Sequence, residues 1–129
     1  MTSSRPEIGH AATVTHVVAE ADTAAALGSG DLAVLGTPRL LAWCESATCD
    51  AVRQALSPQQ TTVGSRVSLT HERPSPVGAR VHVRASVTHV DGRLVRFEVV
   101  VEHADGTVVG HGEITRVVVD RERFLDRLG

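Results

Sequence analysis

The feature that most limits what this chain can fold into is a change of hydrophobic period near residue 60. Between Pro38 and Leu56 the small and apolar side chains Leu40, Leu41, Cys44, Ala47, Thr48, Ala51, Val52 and Ala55 fall on one arc of a 3.6-residue helix, and Ser46, Asp50, Arg53 and Gln54 lie opposite. Thr37-Pro38 marks the start, since threonine caps exposed N–H groups and proline suits a first turn; Ser57-Pro58 marks the end. From Thr61 onward the period is two. Val63, Ser65, Val67, Leu69 and His71 share one face of a first strand, and Val81, Val83, Ala85, Val87 and His89 one face of a second. One long helix with a broad arc of small residues, followed only by strands, must lie closely against a sheet.

The turn signals then set the order of the strands. Pro74-Ser75-Pro76-Val77-Gly78 interrupts pairing, and Asp91-Gly92 and Asp105-Gly106 are hairpin turns that delimit strands over Arg80–Val90, Leu94–His103 and Val108–Asp120. Ahead of the helix, Ala12–Ala19 (ATVTHVVA) reads as a short β-branched strand. Glu20–Gly36, with Gly28-Ser29-Gly30, reads as a loop containing a helical turn at most, and Arg121–Leu128 as a short terminal helix. The predicted architecture is α+β: an antiparallel sheet wrapped around one long central helix, as in the hotdog fold, in a single domain over residues 1–129.

Composition narrows the partners. A formal net charge of −2 and only three aromatic residues (Trp43, Phe97 and Phe124) offer neither attraction to phosphate backbones nor a stacking platform, which argues against nucleic acid. No apolar run approaches the ~20 residues that span a bilayer, and Met1–His10 carries no apolar stretch of signal-peptide length. Cys44 and Cys49 diverge by roughly 140° on the helix, so they do not suit a disulfide. Two thiols without a framework fit a reducing compartment, and the expected location is cytoplasmic. None of the seven histidines forms a cluster with metal-ligand spacing, so no metal is expected.

Five residues break the structural pattern. Glu45 sits about 20° from both Val52 and Leu56 on the helical wheel, at the flank of the apolar arc, where a carboxylate needs a partner or reaches past the edge to water. His71 continues the Val67 and Leu69 face, as a hydrogen-bonded core residue or as an acid and base near neutrality. Thr37 reads as a cap, at a helix terminus that also suits developing negative charge, although Pro38 removes one donor. Gly64 weakens its strand unless something approaches the backbone closely. Arg116 shares a face with Ile114 and Val118, calling for a carboxylate, a ligand anion or an exposed edge.

Together these residues resemble the fluoroacetyl-CoA thioesterase-like branch of the hotdog thioesterases. The resemblance rests on Thr37 at the helix start, Glu45 eight residues later within LLAWCESA, and His71 26 residues beyond that at the end of GSRVSLTH, with Gly64 seven residues before it. The loop Pro74–Gly78 and Arg116 on the last strand extend it over about Val34 to Phe124. It implies a homodimer or higher homo-oligomer with the active site at the subunit interface, so that the three residues need not come from one chain. It also implies hydrolysis of a small acyl thioester of coenzyme A, without a further cofactor. His71 would act as base and then protonate the thiolate; Glu45 would be nucleophile or base toward water. Thr37 would hydrogen-bond Glu45 or substrate, and Gly64 and Arg116 would bind substrate.

One departure bears on specificity. The fluoroacetyl-specific members carry aromatic residues ahead of the catalytic threonine, whereas LGSGDLAVLG here places Gly28 and Asp31 where rings are expected. The acyl group is therefore expected to be short but not specifically fluoroacetyl. A noncatalytic acyl-CoA or small-ligand binding protein is the alternative. A hotdog dehydratase fits less well, since no Asp-x-x-x-x-His string opens the helix.

Overall fold

The computed structural model describes residues 5–129; of the amino-terminal stretch Met1–His10, and of the domain expected over 1–129, residues 1–4 lie outside the described residues. The chain runs through β1 (Ala11–Val17), a 3-10 turn at Glu20–Asp22, α1 (Ala24–Leu27), α2 (Thr37–Val52), a 3-10 turn at Arg53–Ala55, β2 (Gln60–His71), β3 (Arg80–Asp91), β4 (Leu94–His103), β5 (Val108–Asp120) and α3 (Arg121–Asp126). All five strands form one antiparallel sheet in the order β1-β3-β4-β5-β2, which leaves β1 and β2 at the edges. The α+β expectation of a sheet around one long helix is met.

The helix arc and the sheet face close on each other. Leu40, Cys44 and Ala47 of α2 meet Val81, Val83 and Ala85 of β3, Val99 and Val101 of β4, and Ile114 of β5 in one cluster. A second gathers Val52, Val87, Val95 and Val118 around Phe97. With one buried Phe and no Tyr, the interior is filled by valines that alternate along the strands, each contributing about 1.5–3 kcal/mol when fully buried. The hairpin turns are as read: Gly92 (φ 57°) and Gly106 (φ 86°) take the left-handed conformation that the two tight turns require.

Two predicted faces are wrong, and for one reason. The registers of β2 and β3 slip at bulges, between Gly64 and Arg66 and between Val87 and His89. Each bulge adds a residue and inverts the alternation beyond it. His89 is therefore exposed rather than continuing the Val87 face, and Val90 packs inward instead. On β2, Thr62 is buried before the bulge, while Val67, Leu69 and His71 follow the inward parity after it.

The predicted cap is a second correction. Gly36, not Thr37, is the N-cap of α2, with no side-chain cap bond, and Thr37 is the first helical residue. Its hydroxyl is thereby available for another partner. The loop after β2 is tied to the segment before α2: the Leu35 amide donates to the Ser75 carbonyl (2.8 Å), and the buried Ser75 hydroxyl pairs with His103 Nε2 (2.7 Å). At the β1 edge, Trp43 stacks on His16 with centroids 4.2 Å apart and planes within 5°.

Candidate active site

The helix passes β2 in the opposite direction, its start against the strand's end and its middle against the strand's first half, so the order of residues along one is reversed along the other. Thr37 at the start of α2 comes beside His71 at the end of β2, and Glu45 in mid-helix comes beside Gly64. Two groups of side chains result.

In the first, Thr37 Oγ1 and His71 Nδ1 are 2.8 Å apart. Fixing one ring nitrogen orients the imidazole and selects its tautomer. When Nδ1–H donates to the threonine hydroxyl, Nε2 carries the basic lone pair, and that Nε2 is buried with no hydrogen-bond partner among the described residues. An orphaned ring nitrogen held from behind is the arrangement a general base needs before substrate arrives. Helix-terminal N–H groups contribute less, because the Arg39 and Leu40 amides both close on the Gly36 carbonyl (3.1 and 3.0 Å).

Burial lowers the His71 pKa from its ordinary 6.5, opposed by a backbone contact with Arg73. Burial likewise lowers that of His16, opposed by Asp22. An unfolded chain protonates these rings as pH falls through 6.5 while the folded chain resists, so their contribution to stability is complete above 6.5 and declines on acidification. The acid limb of kcat/KM is expected to have its midpoint below pH 6.5, since free His71 stays neutral to lower pH. A midpoint at or above the ordinary imidazole value in a pH-rate profile would contradict this.

In the second group, Glu45 Oε2 lies 3.5 Å from Arg116 Nη1. Arg116 is 7% exposed and is fixed by Thr62, through Nε to the hydroxyl (2.8 Å) and Nη2 to the carbonyl (3.0 Å). Of the readings left open for Arg116, a carboxylate, a ligand anion or an exposed edge, the structure shows a buried side chain whose carboxylate neighbour is Glu45. A Cβ on Gly64 would sit 3.0 Å from Glu45 Oε2 and 3.5 Å from Arg116 Nη1, so the close approach inferred from a strand glycine is that of this ion pair. Gly64 and His71 are seven apart, which would put them on opposite faces of a regular strand; the bulge at Ser65 puts both toward the helix. Thr62 was not foreseen, because counting by two through the bulge assigns the inward face to Val63.

The Thr37–His71 and Glu45–Gly64–Arg116 groups are separate. Eight helical residues carry Glu45 roughly 12 Å along the axis from Thr37, and among the described residues no hydrogen bond or ion pair joins Glu45 to His71. Cys44, beside Glu45 in sequence, is not a competing nucleophile: burial, and then the Glu45 charge, push its thiol up to about 12. Both cysteines are free thiols. Among the described residues no group of three or more His, Cys, Asp or Glu is placed to hold a metal ion, and no helix is long and apolar enough to cross a membrane.

No curated protein matches the sequence. A family model described as fluoroacetyl-CoA-specific thioesterase matches residues 18–122. Among solved structures, an alanine variant of the fluoroacetyl-CoA-specific thioesterase FlK in complex with fluoroacetate and CoA is 26% identical, with a TM-score of 0.85 over 92% of this chain and 99% of that one. A serine variant of FlK in complex with acetyl-CoA shares the fold at 23% identity, with a TM-score of 0.89 over 95% and 96% of the two chains. The Thermus thermophilus hypothetical protein TTHA0967, a thioesterase superfamily member, is 25% identical with a TM-score of 0.86 over 96% and 94%. With the sheet-and-helix architecture shared throughout and the family model spanning most of the sequence, the chain belongs to the fluoroacetyl-CoA-specific thioesterase family, and it is a hotdog-fold thioester hydrolase.

Proposed function

We propose that this protein hydrolyses a short-chain acyl thioester of coenzyme A, at a Thr37, Glu45 and His71 site assembled across the interface of a cytoplasmic homodimer. The observation that carries this reading is the orphaned Nε2 of His71, held by Thr37 yet out of hydrogen-bonding contact with the Glu45 of its own chain. A second copy supplies the missing half. β2 is an edge strand, exposed from Gly64 to Ser68, with Val67 45% exposed. Antiparallel pairing of two β2 strands about a two-fold at Ser68, with the extra residue Ser65 taken up by the bulge, sets Gly64 of each opposite the partner subunit's His71. Glu45, which lies against Gly64, then approaches the partner subunit's Thr37 and His71.

In such a site Arg116 orients the Glu45 carboxylate toward the thioester carbonyl. Glu45 either attacks the carbonyl carbon or takes a proton from the attacking water. The carbonyl oxygen gathers negative charge that the Gly64 N–H stabilises. Collapse of the tetrahedral species breaks the C–S bond and releases a thiolate, and the partner subunit's His71, neutral at the outset, takes up the proton that water gives up and passes it on to the thiolate. If an acyl-Glu45 forms, the same imidazole then deprotonates the water that releases the acid.

Gly28 and Asp31 put no ring in the segment before Thr37, and Leu32 beside Asp31 is 66% exposed, which supports an acyl pocket without an aromatic gate. Thiol release should be measured over acetyl, fluoroacetyl, propionyl, butyryl and aryl thioesters of CoA. The expected result is turnover of the small acyl groups with no marked preference for fluoroacetyl over acetyl. Ligand-dependent thermal stabilisation with no thiol release from any of them would instead establish the noncatalytic binding protein.

A further inference from the structure

Thr37 and His71 belong to two chain segments that are tied together a second time, at Ser75. The Leu35 amide, just ahead of Thr37, donates to the carbonyl of Ser75, which follows His71 in the loop after β2 (2.8 Å). Val34 and Pro76 form an antiparallel bridge beside that bond. One tie is therefore backbone, at Leu35 and Ser75, and the other is side chain, at Thr37 and His71. Leu35 is buried, and the next amide, of Gly36, donates to the Asp22 carbonyl (2.9 Å), so the residues leading into Thr37 are held between Ser75 and Asp22. The Arg73 backbone, between His71 and Ser75, also contacts His71.

Ser75 is in turn seated by a side chain from another element. Pro74 and Pro76 flank it, and neither has an N–H to give; their rings also fix φ, so the loop carries a displacement onward where a softer one would absorb it. The buried Ser75 hydroxyl pairs with Nε2 of His103, at the end of β4 (2.7 Å). His103 is itself anchored in the turn to β5: its amide donates to the Thr107 carbonyl and its carbonyl accepts from the Gly106 amide, both at 2.9 Å. A serine beside an imidazole is the pairing of a hydrolase nucleophile with its base, but Ser75 is 0% exposed and cannot meet a substrate. The bond has a different use.

We propose that Ser75 and His103 are positioning residues for thioester hydrolysis: their hydrogen bond seats the loop after β2 against Leu35 and so sets the separation at which Thr37 holds the His71 ring. The role rests on the reading of His71 as acid and base, and adds to it two residues that aim the ring. Glu45 and Arg116 are held by Thr62 instead. Loss of the Ser75–His103 bond therefore disturbs proton transfer more than substrate binding.

Ser75→Ala, His103→Ala and His103→Gln test this in the full-length protein, by steady-state kinetics on short-chain acyl-CoA, nitrogen NMR of the His71 ring and a thermal melt. Both alanine variants are expected to lower kcat by about tenfold to a hundredfold, the scale of a small misplacement of a catalytic group, with KM changed by no more than about twofold. In both, His71 should pass from the single Nδ1–H tautomer to a mixture. The glutamine amide keeps an N–H donor for the serine hydroxyl, so His103→Gln should recover much of kcat and of the single tautomer. His103 lines an open cavity of about 360 Å³ with Pro76, Ala79, Arg80 and Asp105, so truncating it leaves no internal void, and His103→Ala reports on the bond even where Ser75→Ala fails to fold. A folded His103→Ala with wild-type kcat and an unchanged His71 tautomer, its melting temperature lowered or not, overturns the proposal, as does a His103→Gln no better than His103→Ala. A tautomer change that His103→Gln reverses, in a protein that releases no thiol from any acyl-CoA, would uphold the positioning while refuting the thioesterase reading of the site; thiol release at the wild-type rate by His103→Ala would do the reverse.

Discussion

Glu45→Gln is expected to lower kcat for acyl-CoA hydrolysis by about 10³-fold, within the 10²–10⁴ range of a positioned acid, base or nucleophile, and to leave the fold intact. The amide is nearly isosteric and its oxygen still accepts from Arg116, so the buried guanidinium keeps its Thr62 contacts and a neighbour in place of the carboxylate. What is lost is the charge that attacks the carbonyl or accepts the proton of water. Glu45→Ala loses the same chemistry and also leaves Arg116, 7% exposed, without its carboxylate, so it should melt at a lower temperature than the glutamine variant. Steady-state kinetics on purified, folded Glu45→Gln decide the matter: turnover within tenfold of wild type would remove Glu45 from the chemistry.

The second large effect concerns two inactive proteins that recover activity together. Glu45→Ala and His71→Ala homodimers should each be nearly inactive. In a mixed dimer the Glu45 of one chain and the Thr37–His71 pair of the other form one undamaged site, and the opposite site carries both lesions. Random subunit exchange then restores about one quarter of wild-type activity: half of the dimers are mixed, and each has one working site. If each site drew all its residues from one chain, no mixture would contain an intact one and activity would stay at background. The separation of the two groups along α2 and the free edge of β2 favour recovery. Val67→Asp, which places a charge on that edge, should weaken the dimer and with it the activity of an otherwise wild-type chain.

Much of the architecture was legible before any coordinates. The helix from Pro38, the hairpins at Asp91-Gly92 and Asp105-Gly106, and the limits of β4 and β5 follow from local chemistry: apolar period, proline at a helix start, glycine at positive φ. The errors cluster where one residue is inserted into a ladder. Counting by two across Ser65 turns Val63 inward and hides Thr62; counting across Thr88 turns His89 inward. A bulge is stabilised by the strand beside it and leaves little trace in its own strand's sequence. Thr37 was misread for a related reason. Gly36 takes the cap position, and the threonine hydroxyl is claimed by a histidine 34 residues away.

The candidate residues themselves were visible because each violates the pattern around it. Glu45 on the flank of an apolar arc, Arg116 between Ile114 and Val118, and Gly64 within a strand are local anomalies, and anomalies can be found without knowing what answers them. By itself the sequence determined the order of elements and which residues are out of place, because hydrophobic period and turn chemistry act over a few residues. Only the tertiary structure decided which anomalies answer one another: Arg116 with Glu45 over Gly64, and Thr37 with His71. Those pairings depend on the antiparallel course of α2 against β2 and on one extra residue in the β2–β5 ladder, which long-range packing and register fix and local periodicity cannot express.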